Sequence, residues 1–200
     1  MLKRLFDILA SAIGLLLLLP ILLLLSVLIL LDSRGGVFYK QVRVGKNNVD
    51  FELFKFRTMR PQSDAKGLIT VGARDPRITS IGYYLRKYKL DELPQLINVL
   101  LGNMSLVGPR PEVRKYVSMY NAEQLKVLSV KPGITDLASL QYFDENEILG
   151  KSQNPDKDYI ETIMPAKLAL NLQYINNQGM MSDVKIIVQT IARIARSRGV

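Results

Sequence analysis

The chain contains neither cysteine nor histidine. Without cysteine there is no disulfide, no thiolate nucleophile and no cysteine metal site, a pattern that fits a reducing compartment. Without histidine the commonest general base and the usual zinc ligands are gone, so any chemistry falls to Asp, Glu, Lys, Tyr and Ser. Gly150-Lys151-Ser152 has the ending of a phosphate-binding loop, but the earlier glycine of that motif would fall at Glu145. Phe51, Phe54 and Phe56 alternate with Lys55 and Arg57 without an RNA-recognition signature around them, and core packing accounts for them. There is no internal repeat, and no low-complexity segment beyond one leucine run.

Two hundred residues at 48% apolar content are enough for one ordinary domain with its own core, plus a membrane segment. Lys and Arg number 27 against 18 Asp and Glu, and setting aside Lys3, Arg4 and Asp7 leaves 25 against 17 over 32–200. An excess of this size points to an anionic partner, whether nucleic acid, an anionic membrane surface or a phosphorylated substrate.

From Leu5 to Leu31 the only ionisable residue is Asp7, and fourteen positions are Leu. At roughly 0.5 kcal/mol per Leu or Ile near the bilayer centre, insertion outweighs one Asp at the edge. The run is longer than a signal-peptide core, and no small-x-small cleavage pattern follows it. Pro20 stands in its middle, where a missing N–H and a clash with the preceding turn kink or break a helix. The two halves would measure about 22 and 17 Å, too short for either to cross a core of about 30 Å. Lys3 and Arg4 precede the run, while Arg34, Lys40, Arg43 and Lys46 follow it, so both flanks carry the positive charge that marks the cytoplasmic side. A hairpin entering and leaving by one leaflet satisfies both observations; a kinked span is the other reading.

Beyond the run, Val37–Val44 and Val49–Arg57 alternate apolar and polar residues around Gly45-Lys46-Asn47-Asn48, which predicts a β-hairpin. A surface loop is expected over 61–77 and a polar turn over 150–158. The pattern from Ile81 to Leu101 is helical, with Leu93, Leu96, Ile97, Leu100 and Leu101 on one stripe and a stop at Gly102. A helix is also expected from Glu112 to Val130, ended by Lys131-Pro132-Gly133. The final stretch, Asp183 to Arg196, predicts an amphipathic basic helix that either lies on a membrane surface or packs on the core.

Two acidic pairs are candidates for chemistry. Asp91-Glu92 stands in Leu90-Asp91-Glu92-Leu93-Pro94, where the helical stripe begins. Asp suits an N-cap, Glu a first turn and Pro a first helical position, so capping explains the pair. The same place also attracts phosphate and keeps a carboxylate ionised. Cations surround it in sequence: Lys55 and Arg57 on the hairpin, Arg86, Lys87 and Lys89 just before, and Arg110 after. Arg110 is the most pointed of them, because Gly108-Pro109-Arg110-Pro111 stiffens the backbone and presents a guanidinium suited to phosphate. Asp156-Lys157-Asp158 has the acidic spacing of metal-nucleotide sites in many glycosyltransferases, although a solvated turn accounts for it.

Several longer motifs follow one another in order: Lys3-Arg4-Leu5-Phe6-Asp7 before the proline-broken run, Phe54-Lys55-Phe56-Arg57-Thr58-Met59, Leu90 to Val99, Met104 to Pro111, and Lys131-Pro132-Gly133-Ile134-Thr135. Together they resemble the bacterial sugar transferase family, the small monotopic phosphoglycosyl transferases, over nearly the whole chain. The resemblance implies an α+β fold, mostly helical. A re-entrant membrane-embedded helical hairpin would cover 1–32, and a cytoplasmic-face catalytic domain with a β-hairpin and amphipathic interfacial helices would cover 33–200. It implies transfer of a phosphosugar from a UDP-sugar to undecaprenyl phosphate with release of UMP, initiating glycoconjugate and polysaccharide biosynthesis at the bacterial inner membrane. Asp91 matches the family nucleophile and Glu92 its partner, with Mg²⁺ at the pair. Arg86 and Arg110 match arginines of the nucleotide-sugar site, and Lys55 a basic residue near it. The partners so implied are the UDP-sugar, undecaprenyl phosphate, anionic membrane lipid and a second copy of the chain, but not nucleic acid.

The chain departs from the family pattern in three places. Leu19 precedes Pro20 where many members have Ser, Asp136-Leu137-Ala138-Ser139 replaces a Gly-Trp-Ala-Gln type of sequence, and Asn171 replaces an Asp ahead of Tyr174. Two other classes make different predictions: a metal-dependent glycosyltransferase using Asp156 and Asp158 would release UDP, and a basic membrane adaptor would turn nothing over.

Overall fold

The computed structural model describes residues 2–61, 63 and 75–196. It opens with α1, Leu2–Asp32, a helix that continues through Pro20. The expected break into two helices at Pro20 is therefore corrected. Proline removes one N–H from the ladder, whereas opening the backbone would strand several polar groups in an apolar run. Among the described residues α1 is the one helix long and apolar enough to cross a membrane. Leu16 and Leu17 in its middle are each 72% exposed, an apolar surface that water does not tolerate at this extent.

Both ends of α1 are fastened to the rest of the chain. Near its start Asp7 and Ser11 are buried; near its end Leu25 and Ile29 pack with Phe56 and Leu85. The Arg57 guanidinium donates to the Ser33 carbonyl at 2.8 Å, and the Asp32 carboxylate accepts from the Ile81 N–H at 2.9 Å.

The hairpin is as expected. β1, Phe38–Val44, pairs antiparallel with β2, Asp50–Phe56, from Phe38 opposite Phe56 to Val44 opposite Asp50. Asn47 and Asn48 take φ of 57° and 63°, a left-handed conformation that Asn adopts more readily than most residues, and the Asn48 side chain accepts from Arg114. The 61–77 loop falls largely outside the described residues.

The helical pattern of 81–101 resolves into two helices. α2, Ser80–Lys87, stops before Lys89, whose φ of 55° turns the chain; a single 3₁₀ turn, Leu90–Glu92, follows. α3, Gln95–Leu101, begins after Pro94 and ends at Gly102, where φ is 91° as a helix-terminating glycine requires. The face of α3 turned to the core carries Gln95 and Asn98 beside the apolar Val99. Asn98 is fully buried and binds β2 twice, accepting from the Phe54 N–H at 2.9 Å and donating to the Glu52 carbonyl at 2.7 Å. The apolar stripe turns elsewhere: Leu96 approaches Gly14 of α1, and Leu101 is exposed.

A pair of short parallel strands, β3 (Ser105–Val107) and β4 (Gly133–Thr135), ties the two glycine-proline motifs together. A Cβ on Gly133 would lie 2.1 Å from the Gly108 nitrogen, so the two backbones meet where only glycine fits. The expected helix over 112–130 is also corrected. Only α4, Arg114–Val117, and a 3₁₀ stretch, Gln124–Ser129, form there. Between them Asn121 and Gln124 exchange side-chain bonds with each other's backbone N–H, which competes with a helical ladder.

The polar turn expected over 150–158 contains helix. α5 (Leu137–Gln141), α6 (Glu145–Gly150) and α7 (Pro155–Asp158) are short, and α7 is one turn capped by Asn154. α8, Met164–Asn176, contributes Met164 and Leu168 to the main core with Val113, Tyr116, Val127, Leu149, Tyr159 and Ile163. Burial of each such side chain is worth about 1.5–3 kcal/mol. The final helix, α9 (Met180–Arg196), buries Asp183 and Ile186 and exposes Met181, Val184, Val188 and Ile191 along one stripe. Among the described residues the fold is mostly helical, with two small two-stranded sheets and one isolated bridge between Met59 and Ile78.

Candidate active site

Four chain segments converge on the Asp91-Glu92 turn. β2 brings Lys55, the last turn of α2 brings Arg86, the left-handed turn brings Lys89, and the loop after β3 brings Arg110. Lys55 Nζ sits 2.9 Å from Glu92 Oε1. Arg110 takes Glu92 through both guanidinium ends, Nη1 to Oε2 at 3.2 Å and Nη2 to Oε1. Two donors on one carboxylate make the strong, geometrically specific kind of ion pair.

Neither carboxylate caps a helix. The 3₁₀ turn starts at Lys89 and α3 at Pro94, and neither start has a side-chain cap bond. The capping explanation of the pair therefore fails. Asp91 is 7% exposed, and no described residue donates a hydrogen bond to its carboxylate. Burial pushes its carboxyl above the usual aspartate range; Lys55, Arg86 and Lys89 pull against this, and Glu92 adds to it. Burial also opposes the Glu92 charge, but Arg110 and Lys55 outweigh it and hold that carboxyl well below the usual range. Burial lowers Lys55 from an ordinary lysine despite its Glu92 partner. One carboxylate is thus locked as an ion by cations, while its neighbour is left open to react or to bind.

The pair opens into a cleft of about 490 Å³ that Lys55, Arg86, Lys89, Asp91, Glu92 and Arg110 all line. Its far wall comes from α5, α6 and α8. Phe143 lies under Lys89, whose Nζ is 5.0 Å from the ring centre, and Glu145 pairs with Lys167 at 2.6 Å. Arg86 is 3.5 Å from the Thr58 hydroxyl.

From the sequence Asp136 stood only as a departure from the family pattern and Glu112 had no part in the site, yet both fix this arrangement. Asp136, fully buried, accepts from the Arg110 N–H at 2.9 Å and from the Ser139 N–H at 2.5 Å. It caps α5 and holds the Arg110 loop in the same stroke. The signal was present, since Asp just before a short apolar stretch is an N-cap pattern. Glu112 accepts from Arg43 at 3.0 Å and from the Tyr159 hydroxyl, joining the same loop to the hairpin and the main core. Asp156 and Asp158, by contrast, do not line the cleft: Asp156 bonds Lys115 and Tyr116, and Asp158 the Ser152 hydroxyl.

Among the described residues no three acidic side chains gather as a self-sufficient metal cage. The donor set does fit Mg²⁺, a hard ion that takes one or two carboxylates and completes its shell with substrate phosphates and water. Asp91 offers such oxygens, whereas those of Glu92 already face Arg110 and Lys55.

A buried carboxylate left without a hydrogen-bond donor among the described residues and ringed by cations in a cleft is an arrangement suited to phosphoryl chemistry on anionic substrates. The bacterial sugar transferase family model matches residues 1–197. The chain is 39% identical over 206 residues to the exopolysaccharide production protein PSS of Rhizobium leguminosarum bv. phaseoli, covering 99% of this chain and 98% of that protein. It is 38% identical over 200 residues to a UDP-N-acetylgalactosamine-undecaprenyl-phosphate N-acetylgalactosaminephosphotransferase of Aeromonas hydrophila, across 98% of this chain and 44% of the relative. It is also 34% identical over 195 residues to the UDP-glucose:undecaprenyl-phosphate glucose-1-phosphate transferase of Escherichia coli, across 96% of this chain and 39% of the relative. The chain belongs to the bacterial sugar transferase family.

Proposed function

We propose that this protein is a phosphoglycosyl transferase that moves a phosphosugar from a UDP-sugar to undecaprenyl phosphate. The observation that carries the reading is the division of labour at Asp91-Glu92, with Glu92 clamped by Lys55 and Arg110 and Asp91 left open beside it. The relatives named for undecaprenyl-phosphate sugar phosphotransfer support the same chemistry.

In this reading an Asp91 oxygen attacks the phosphorus that bears the sugar. The bond from that phosphorus to the bridging oxygen breaks, and the electron pair leaves with UMP. An oxygen of the lipid phosphate then attacks the same phosphorus, restoring the Asp91 carboxylate and forming a polyprenyl diphosphosugar. Splitting the transfer in two lets UMP depart before the lipid enters. Lys55, Arg86 and Arg110 offset the negative charge that would otherwise repel a carboxylate from a diphosphate. Bound Mg²⁺ would supply further charge neutralisation on the phosphates, held chiefly by Asp91.

The reading places the active site at the cytoplasmic face of the bacterial inner membrane, with α1 seated in the leaflet on that side. It is supported by the attachment of both ends of α1 to one polar body, since ends so held do not lie on opposite faces of a bilayer. The exposed stripe of α9 would rest at the same interface.

The experiment is incubation of the protein with Mg²⁺, polyprenyl phosphate and each of a panel of UDP-sugars, with the released nucleotide identified. UMP release by the parent protein and none by Asp91→Asn is the expected result. Release of UDP, or undiminished turnover by Asp91→Asn, overturns the reading.

A further inference from the structure

The first two turns of α1 are fastened to the two backbone segments that deliver the catalytic side chains. Arg4 Nη1 donates to the Val99 carbonyl at 2.5 Å and Nη2 to the Leu100 carbonyl at 2.9 Å. These are carbonyls of the last turn of α3, where the helix stops; the Val99 carbonyl also accepts from the Gly102 N–H at 3.1 Å. α3 follows directly on the Asp91-Glu92 turn, so a clamp at one end of this short helix fixes the other.

Lys3 and Asp7 hold the second segment. Lys3 Nζ donates to the Val107 carbonyl at 3.0 Å and pairs with buried Asp183, which also accepts from the Tyr174 hydroxyl at 2.7 Å. Asp7, 2% exposed, accepts from the Leu106 N–H at 3.1 Å. Leu106 and Val107 belong to β3, and the next residues are Gly108-Pro109-Arg110. A basic pair that only marked the membrane side would extend toward water or headgroups. These side chains turn inward instead, to main-chain atoms about a hundred residues away in sequence. A buried carboxylate is also costly unless it is bonded, and Asp7 spends its bond on β3.

We propose that Lys3, Arg4 and Asp7 are positioning residues, which set α3 and β3 against each other and thereby fix the approach of Asp91 to the Glu92–Arg110 pair. Seating of α1 and competence of the active site are one event. The proposal rests on the transferase reading, yet fails separately: absence of turnover in the parent protein defeats that reading, whereas the comparison of variants decides this one.

The test uses the full chain in lipid nanodiscs, with UMP release, membrane fraction and labelling from either side measured for Arg4→Lys, Asp7→Asn and Asp7→Leu. Arg4→Lys keeps the charge and loses the two-pronged grip; kcat should fall about ten- to a hundredfold while KM for the UDP-sugar changes little. Asp7→Asn keeps an acceptor for the Leu106 N–H and should hold near-parental kcat. Asp7→Leu makes the run more apolar, favours insertion, and should still lose kcat to the same degree as Arg4→Lys. Parental turnover by Arg4→Lys overturns the proposal, as does equal turnover by the two Asp7 variants. Loss of turnover that occurs only with loss of Arg4→Lys from the membrane also overturns it, assigning the pair to insertion.

Discussion

The Arg110 guanidinium spans both oxygens of the Glu92 carboxylate, and Lys55 approaches the same group from the hairpin strand. Sequence separation brings out what the fold achieves: the three residues come from β2, the 3₁₀ turn and the loop after β3, and β3–β4 pairing, Asp136 and Glu112 hold that loop in place.

Replacement of Arg110 by Lys keeps the charge and loses the planar fork. A single ammonium cannot engage Glu92 at both oxygens and still face a diphosphate. Turnover measured by UMP release should drop by about a hundredfold in kcat/KM, the order found when one preorganised charge-stabilising donor is removed. The fold should persist, because Lys55 continues to pair with Glu92. Parental kcat/KM in Arg110→Lys would show that the clamp is structural only.

Asp136 accepts two backbone N–H groups at once, one from Arg110 and one from Ser139. Asn in its place has one acceptor oxygen, so one of the two N–H groups faces an NH₂ donor. Asp136→Asn should destabilise the protein by about 1–3 kcal/mol, read as a lower thermal midpoint. Because the lost bond frees the Arg110 loop, kcat/KM should fall further than stability alone accounts for. Asp136→Asn with unchanged midpoint and turnover would remove Asp136 from the account.

Particular residues show which parts of this architecture could be read in advance. The hairpin was legible because alternation over two stretches met Asn47-Asn48, two residues of a type that tolerates positive φ. Gly102 was legible as a stop for the same kind of reason. The strands β3 and β4 were not, since three residues carry no period and their pairing joins Ser105 to Gly133 across the chain. Asp91 and Glu92 could be singled out by spacing, but whether they cap a helix depended on where α3 starts, and Pro94 rather than Asp91 sets that. Burial of Gln95 and Asn98 on α3 ran against the apolar stripe because Asn98 satisfies the backbone of β2, a tertiary demand that no local pattern records. Pro20 misled through its usual effect, which an apolar environment suppresses.

The pH dependence of stability offers a check remote from the cleft. Hydrogen bonds from Tyr116 and Lys115 hold the Asp156 carboxyl below its usual range. A carboxyl depressed in the folded state adds stability that is present above its unfolded value of about 3.9 and is lost as pH falls through the lower folded value. The group is half exposed, so the contribution is screened to below about 1 kcal/mol. Tyr116→Phe should reduce this acid-side loss in urea titrations at pH 2–5. UMP release by Asp156→Asn and by Asp158→Asn should match the parent protein; a collapse of activity in either would favour a metal-nucleotide role for the pair.

The division at the dyad also sets the expected dependence on divalent cations. Glu92 faces Arg110 and Lys55, which leaves Asp91 as the carboxylate with oxygens to give, and burial alone would favour its neutral form. A divalent cation shared with substrate phosphates would keep Asp91 ionised and reduce its repulsion from the diphosphate. Chelation with EDTA should abolish UMP release, and Mg²⁺ should restore it in the parent protein. Ca²⁺, larger and less demanding of octahedral geometry, should restore it poorly. Asp91→Asn should stay inactive at every Mg²⁺ concentration. Glu92→Gln should lose most of its turnover, since an amide no longer anchors Arg110 and Lys55, and the remaining UMP release should still require Mg²⁺. Full activity in EDTA would mean that the cationic side chains suffice to neutralise the donor, and that the open oxygens of Asp91 serve attack alone.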